Sequence, residues 1–119
     1  MIVAGFGFRS DATLAALQDA LARAGGAEGV THLATLDAKA PDLAALGRAL
    51  ALPVLALDPE VLAQQTTITR SRRVTELYGT GSIAEAAALA GAGSGARLRG
   101  PRAISGDGTA TAAIAEAPR

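Results

Sequence analysis

Met1-Ile2-Val3-Ala4-Gly5-Phe6-Gly7-Phe8-Arg9-Ser10 opens the chain, an apolar run broken by two glycines and closed by a cation and a hydroxyl. A continuous apolar stretch ending in Gly-x-Gly reads as a buried strand that feeds a tight turn. Directly after it Ser10 and Asp11 are suitable N-caps, and Leu14, Leu17 and Leu21 recur at helical spacing until Gly25-Gly26 ends the helix. Strand, turn and helix in this order begin a parallel sheet, because the chain must cross back before it can pair again.

The same order repeats downstream. Val30 to Leu36 reads as a second strand with Asp37 at its carboxyl end. Pro41 suits a first helical turn, and Leu43, Leu46 and Leu50 form one apolar stripe. Pro53 to Leu57 is a short third strand, and Asp58-Pro59-Glu60 supplies an N-cap, a first-turn proline and a first-turn acid. Gln64 to Ser71 is polar, rich in threonine and expected to be exposed. Arg72 to Tyr78 reads as one or two helical turns, and Ser82 to Ala90 as a helix closing in a Gly91-to-Gly95 loop. Arg97 to Ile104 and Thr109 to Ala115 read as strands joined by Ser105-Gly106-Asp107-Gly108, where Asp-Gly is a hairpin signal. The pattern predicts an α/β fold over residues 1–119 as a single domain. It is a three-layer α/β/α sandwich with a mixed, mainly parallel sheet and a C-terminal antiparallel hairpin.

Composition narrows the chemistry. The 119 residues include no cysteine and no tryptophan, which excludes a disulfide scaffold, thiolate metal sites and cysteine nucleophiles. About a quarter of the chain is alanine, so the core must be built from Leu, Val, Ile and packed Ala. Uncharged stretches such as Ala49 to Leu57 are far shorter than the roughly 18 residues a membrane span needs, and no basic leader precedes the first strand. The expectation is a cytoplasmic protein without a membrane partner. The net charge of +0 hides an asymmetry: Arg70, Arg72, Arg73, Arg97, Arg99 and Arg102 face only Glu76 and Glu85 between residues 68 and 103. Such a block suits an anionic partner. Nucleic acid is not expected, because the excess is small and stacking aromatics are missing.

Several motifs carry a candidate site. Gly5-Phe6-Gly7 invites a dinucleotide reading, but the third glycine of that fingerprint falls on Ser10 and no acid follows at the required spacing. What remains is a turn at Gly5 and Gly7 that lets the backbone approach a ligand. In open α/β sheets ligands bind beyond the carboxyl ends of the strands, a rim that gathers Phe8, Arg9 and Ser10 with Asp37 and Lys39. Lys39 is the only lysine beside ten arginines; it is either a chosen ammonium or a solvated surface charge, and its place on the rim favours the first. Arg72 and Arg73 add positive charge. Gly79-Thr80-Gly81-Ser82 leads into a helix, where free N–H groups of Gly79, Gly81 and Ser82 suit an anion. Ser82 with Glu85 reads as a capping box, the hydroxyl bonding the Glu85 amide while the carboxylate returns to the Ser82 amide; that structural role is favoured for Glu85 over catalysis. His32 stands alone and reads as structural, so neither a metal nor another cofactor is expected.

Four blocks in order resemble the CobE/CbiG C-terminal domain family: Val3 to Arg9, Leu33 to Lys39, Gly79 to Leu89 and Thr109 to Ala115. The resemblance spans nearly the whole chain. It implies cobalamin (corrin ring) biosynthesis, and, because the chain starts at the shared domain, the stand-alone form without the extra N-terminal regions of the lactone-opening relatives. It implies binding of a polycarboxylate precorrin or corrinoid intermediate in a carrier or chaperone role, with other corrin-pathway enzymes as partners. The alternative it leaves open is a hydrolase or ring-contraction accessory acting on a precorrin, with Lys39 or Glu85 as acid–base residue. The arginine-rich rim agrees with a ligand carrying several carboxylates around an apolar ring.

Overall fold

The computed structural model describes residues 1–118. Its sheet is built from β1 (Ile2–Phe8), β2 (His32–Leu36), β3 (Val54–Leu57), β4 (Arg97–Leu98), β5 (Ala103–Ile104) and β6 (Ala110–Glu116). The helices are α1 (Leu14–Ala24), α2 (Ala40–Leu50), α3 (Pro59–Ala63), α4 (Arg72–Tyr78) and α5 (Ile83–Ala92), with a 3-10 turn at Asp37–Lys39 before α2. The strand order is β3-β2-β1-β6-β4, with β5 also on β6. Pairs β1–β2 and β2–β3 are parallel, whereas β6 runs antiparallel to β1, β4 and β5. The mixed α/β sheet with a closing hairpin is the expected one, with the parallel pairs confined to β1–β2 and β2–β3 and outnumbered by the three antiparallel pairs of β6.

Alternation along β1 sends side chains to two separate cores. Ala4 and Phe6 join Leu33 and Ile114 under α1 and α2, which contribute Leu17, Leu21, Leu43 and Leu46. Val3 faces the other way, with Ala34, Leu36 and Ala115, against α5 and Leu62 of α3. The second layer is held at very short range. A Cβ on Gly5 would overlap the Ala84 carbonyl oxygen and the Ala88 nitrogen, so the α5 backbone rests directly on β1. A Cβ on Gly91 would come within 2.9 Å of Val3 Cγ1 and 3.2 Å of Ala34 Cβ. Alanine on the helix and glycine on the strand thus set the distance between layers.

Local chemistry moves several expected boundaries. Thr13, not Ser10 or Asp11, caps α1: its hydroxyl accepts from the Ala16 amide at 3.1 Å. Gly25 ends that helix as expected, with φ 131°. Asp58 caps α3, accepting from the Glu60 amide at 2.8 Å. β2 and β3 begin at His32 and Val54, and α5 continues to Ala92. The expected strand over 97–104 is two short ones, both on β6, because Gly100 and Pro101 fall between them and proline offers no N–H to the ladder.

Gly5→Ala is expected to lower stability by about 3 kcal/mol or more, because the added methyl meets helix backbone that cannot yield. Gly100→Ala, with nothing within 4 Å of the new carbon, should stay within about 0.5 kcal/mol of the parent. Urea unfolding of both variants measures the contrast.

Candidate functional site

The end of β1 is fixed from both sides. Thr35 of β2 donates its hydroxyl to the Phe6 carbonyl at 2.8 Å, and Thr111 of β6 donates to the Gly7 carbonyl at 2.9 Å. Beyond this clamp opens a cleft of about 440 Å³ at the carboxyl ends of β1 and β2. Gly7, Thr35, Leu36, Ile83 and Thr111 line it from the sheet side, and α4 contributes Arg73, Val74, Leu77 and Tyr78. Gly7 keeps the floor open, since a Cβ there would lie 3.0 Å from Thr111 Oγ1 and 3.2 Å from Ile83 Cβ.

Phe8, Arg9, Ser10 and Lys39 meet at this cleft, and Asp37 is not among its lining residues. The Lys39 ammonium stands 5.4 Å from the centroid of the Phe8 ring, within range of a cation–π contact that draws the flexible stem over the first turn. Arg9 lies 3.8 Å from Asp11, both well exposed, a weak pair. Asp37 instead accepts from the Ala38 amide at 2.7 Å and starts the 3-10 turn. Arg73 lines the cleft; its neighbour Arg72 does not.

The second group of expected residues builds the wall instead of lining it. Gly5 lies under α5. Gly79 ends α4 with φ 73°. Gly81 has no room for a side chain, because a Cβ would overlap the Thr69 carbonyl oxygen. Ser82 is buried and its hydroxyl accepts from the Glu85 amide at 3.2 Å, so half of the capping box is present.

The other half is corrected by the structure. The Glu85 carboxylate does not return to Ser82; it accepts from the Ile68 and Thr69 amides at 2.6 and 2.9 Å and from the Arg102 amide at 2.9 Å. Burial pushes this carboxyl up, but hydrogen bonds from Thr69, Arg102 and Ile68 outweigh it and hold the group below its ordinary value of 4.5. A wholly buried carboxylate with both oxygens engaged is a poor acid–base catalyst. It is instead a clasp between the 66–70 segment, which leads into α4, and the interruption of the edge strand, which carries Arg102.

Arg102 is the cationic lining residue that sequence reasoning left out of the site, together with the Val74, Leu77 and Tyr78 face of α4. Gly100 and Pro101, which break the strand just before Arg102, were the available signal. No residue of α4 is buried, and Leu77 is 64 % exposed, so this wall offers an uncovered apolar surface beside the cations. Among the described residues no cluster of His, Asp or Glu is arranged to hold a metal ion. Nor is any helix long and apolar enough to cross a membrane.

The family model described as "Cobalamin synthesis G C-terminus" matches residues 2–115. The fold is similar to that of CobE, a protein from the cobalamin (vitamin B12) biosynthetic pathway, with a TM-score of 0.81 and 31% identity over 97% of this chain and 92% of that one. It is also similar to the cobalamin biosynthesis protein chiG from Agrobacterium tumefaciens strain C58, with a TM-score of 0.73 and 36% identity over 100% of both chains. No curated protein matches the chain.

Glu85→Gln turns one acceptor oxygen into an N–H donor facing a backbone N–H, so a loss of about 2 kcal/mol or more is expected. The native carboxyl has a lowered pKa, so its contribution is complete above about pH 4.5 and is lost as pH falls through the folded-state value. Asp19 and Asp107, also held low, the first by the Gly106 amide and the second by the Ser105 hydroxyl, keep their share of the acid slope. Denaturant titrations between about pH 3 and 7 should therefore show a shallower acid loss in the Gln variant than in the parent.

Proposed function

The chain belongs to the cobalamin synthesis G C-terminus family and is a cobalamin biosynthesis protein, and on that premise we propose that its cleft binds a corrinoid or precorrin intermediate as a carrier or chaperone. The observation that supports this reading is the pairing of chemistries in one concavity. Arg9, Lys39, Arg73 and Arg102 surround a surface made by Phe8, Leu36, Leu77, Tyr78 and Ile83. Guanidinium and ammonium groups suit carboxylates at the edge of a macrocycle, and the apolar residues suit its face. The cleft is open, so it holds one edge of a large flat ligand and leaves the rest accessible to a pathway enzyme that receives it.

Binding is favoured over catalysis by what lines the cleft. None of its residues is Asp, Glu or His, so no side chain there is a ready general base. Glu85 is buried, with both carboxylate oxygens held by backbone amides. Lys39 remains the group through which we test an enzymatic reading, as a general acid.

A visible-absorption titration with hydrogenobyrinic acid tests the proposal. Affinity should fall by about tenfold or more as salt rises from about 0.05 to 0.5 M, because an open cationic rim is screened. Lys39→Met should weaken binding about tenfold, the equivalent of about 1.4 kcal/mol, with Lys39→Arg retaining part of the affinity. Arg73→Ala should do likewise, whereas Arg72→Ala should leave affinity within about twofold. Turnover of a precorrin that Lys39→Met and Lys39→Arg both abolish, at unchanged affinity, would replace the carrier reading with the enzymatic one.

A further inference from the structure

Among the described residues the cleft is lined by four cations and no acid, in a chain whose formal net charge is +0. The imbalance is therefore local. Among the described residues the ion pairs are Arg9–Asp11, Arg23–Asp19 and Arg99–Glu116. Lys39, Arg73 and Arg102 take part in none of them. The carboxylate nearest in the hydrogen-bond network, Glu85, is committed to backbone amides and accepts from the Arg102 main chain, not its guanidinium. The cations also come from separate elements: Arg9 follows β1, Lys39 closes the 3-10 turn, Arg73 stands on α4 and Arg102 on the edge-strand interruption. Like charges brought to one concavity repel each other, and an anion that enters relieves the repulsion at several points at once.

We infer that the cleft reads the charge state of its ligand: it takes a macrocycle whose peripheral carboxylates are free and rejects the same macrocycle once they are neutral amides. The inference rests on the reading of the cleft as a corrinoid site and adds a selection rule to it. Lysine and arginine have only donors, so each asks its partner for an acceptor. A carboxylate gives two oxygens and a full charge; an amide gives one oxygen, no charge and an NH₂ group that opposes the protein's own donors. Hydrogen bonds between two ionised groups are roughly twice as strong as neutral ones. A cation desolvated by the ring but left without its counter-charge weakens binding further. Selection by charge places this protein at a stage when the side-chain acids of the ring are still free.

The experiment compares hydrogenobyrinic acid with the same macrocycle after chemical conversion of its carboxylates to primary amides, at fixed ionic strength. The acid should bind at least about 100-fold more tightly. Lys39→Met, Arg73→Gln and Arg102→Gln should each reduce affinity for the acid about tenfold and change affinity for the amide by less than about threefold. Melting temperatures equal to the parent's verify that each variant is folded; for Arg102, whose main chain meets Glu85, Arg102→Lys is the second variant and should retain part of the selectivity. Equal affinity for acid and amide overturns the selection rule while leaving a corrinoid site in place. Equal loss of both ligands in the variants also overturns it, because the cations then hold the ring and do not count its charges. Failure of both ligands to bind the parent overturns the corrinoid reading and the selection rule together.

Discussion

The backbone of α5 lies on β1 with no side chain between them at Gly5, and the rest of the molecule is arranged around that contact. The near edge of the helix is a row of alanines, Ala84, Ala87 and Ala88, all wholly buried. Small residues on both partners bring helix and strand together and give many weak dispersion contacts in place of a few large ones. The helix is then fixed along its length and at its start. Ser82 and Ile83 come to rest beside the end of β1, where Ile83 becomes part of the cleft, and Glu85 is aimed at the loops instead of at solvent. One glycine in the strand thus decides where the carboxylate of Glu85, next to Ala84 on the helix, can act.

Glu85 converts that placement into a built wall. In the interior an unpaired carboxylate is costly, and here three backbone amides satisfy it. Two of those amides belong to the segment entering α4 and the third to Arg102, so two sides of the cleft are tied to α5. The helix they support contributes no buried residue of its own. Its position therefore depends on half-buried Tyr78 packed against the second core, on caps and on this clasp: Ser71 Oγ accepts from the Val74 amide at 3.4 Å, and the Ser71 amide donates to the Gly81 carbonyl at 2.8 Å.

What could be read from the sequence followed from local rules. The order of strands and helices came from apolar periodicity and glycine or proline punctuation, and the rim of Phe8, Arg9, Ser10 and Lys39 came from the general placement of ligands in open sheets. Local rules also set the limits. Ser10, Asp11 and Thr13 are all acceptable caps within four positions, and packing of α1 on the sheet, not propensity, selects Thr13. A Ser-x-x-Glu pattern describes what a capping box needs, yet nothing in it reveals that the carboxylate finds stronger partners seventeen residues away on either side. Arg102 was visible as charge but not as a cleft residue, because its position depends on a strand break and on the distant Glu85. Gly5 and Gly7, two residues apart, look alike in sequence and differ only in what the third dimension puts above them.

The break between β4 and β5 has a consequence for the outer boundary of the sheet. An edge strand exposes backbone groups to any passing strand, and a long flat edge is a template for aggregation. Here the edge is two residues, an interruption that contains Pro101, and two residues more. Neither piece is long enough to recruit a neighbour, and the proline removes a donor between them. The feature that turns Arg102 into the cleft is the same one that guards this edge of the sheet against pairing with a neighbouring strand.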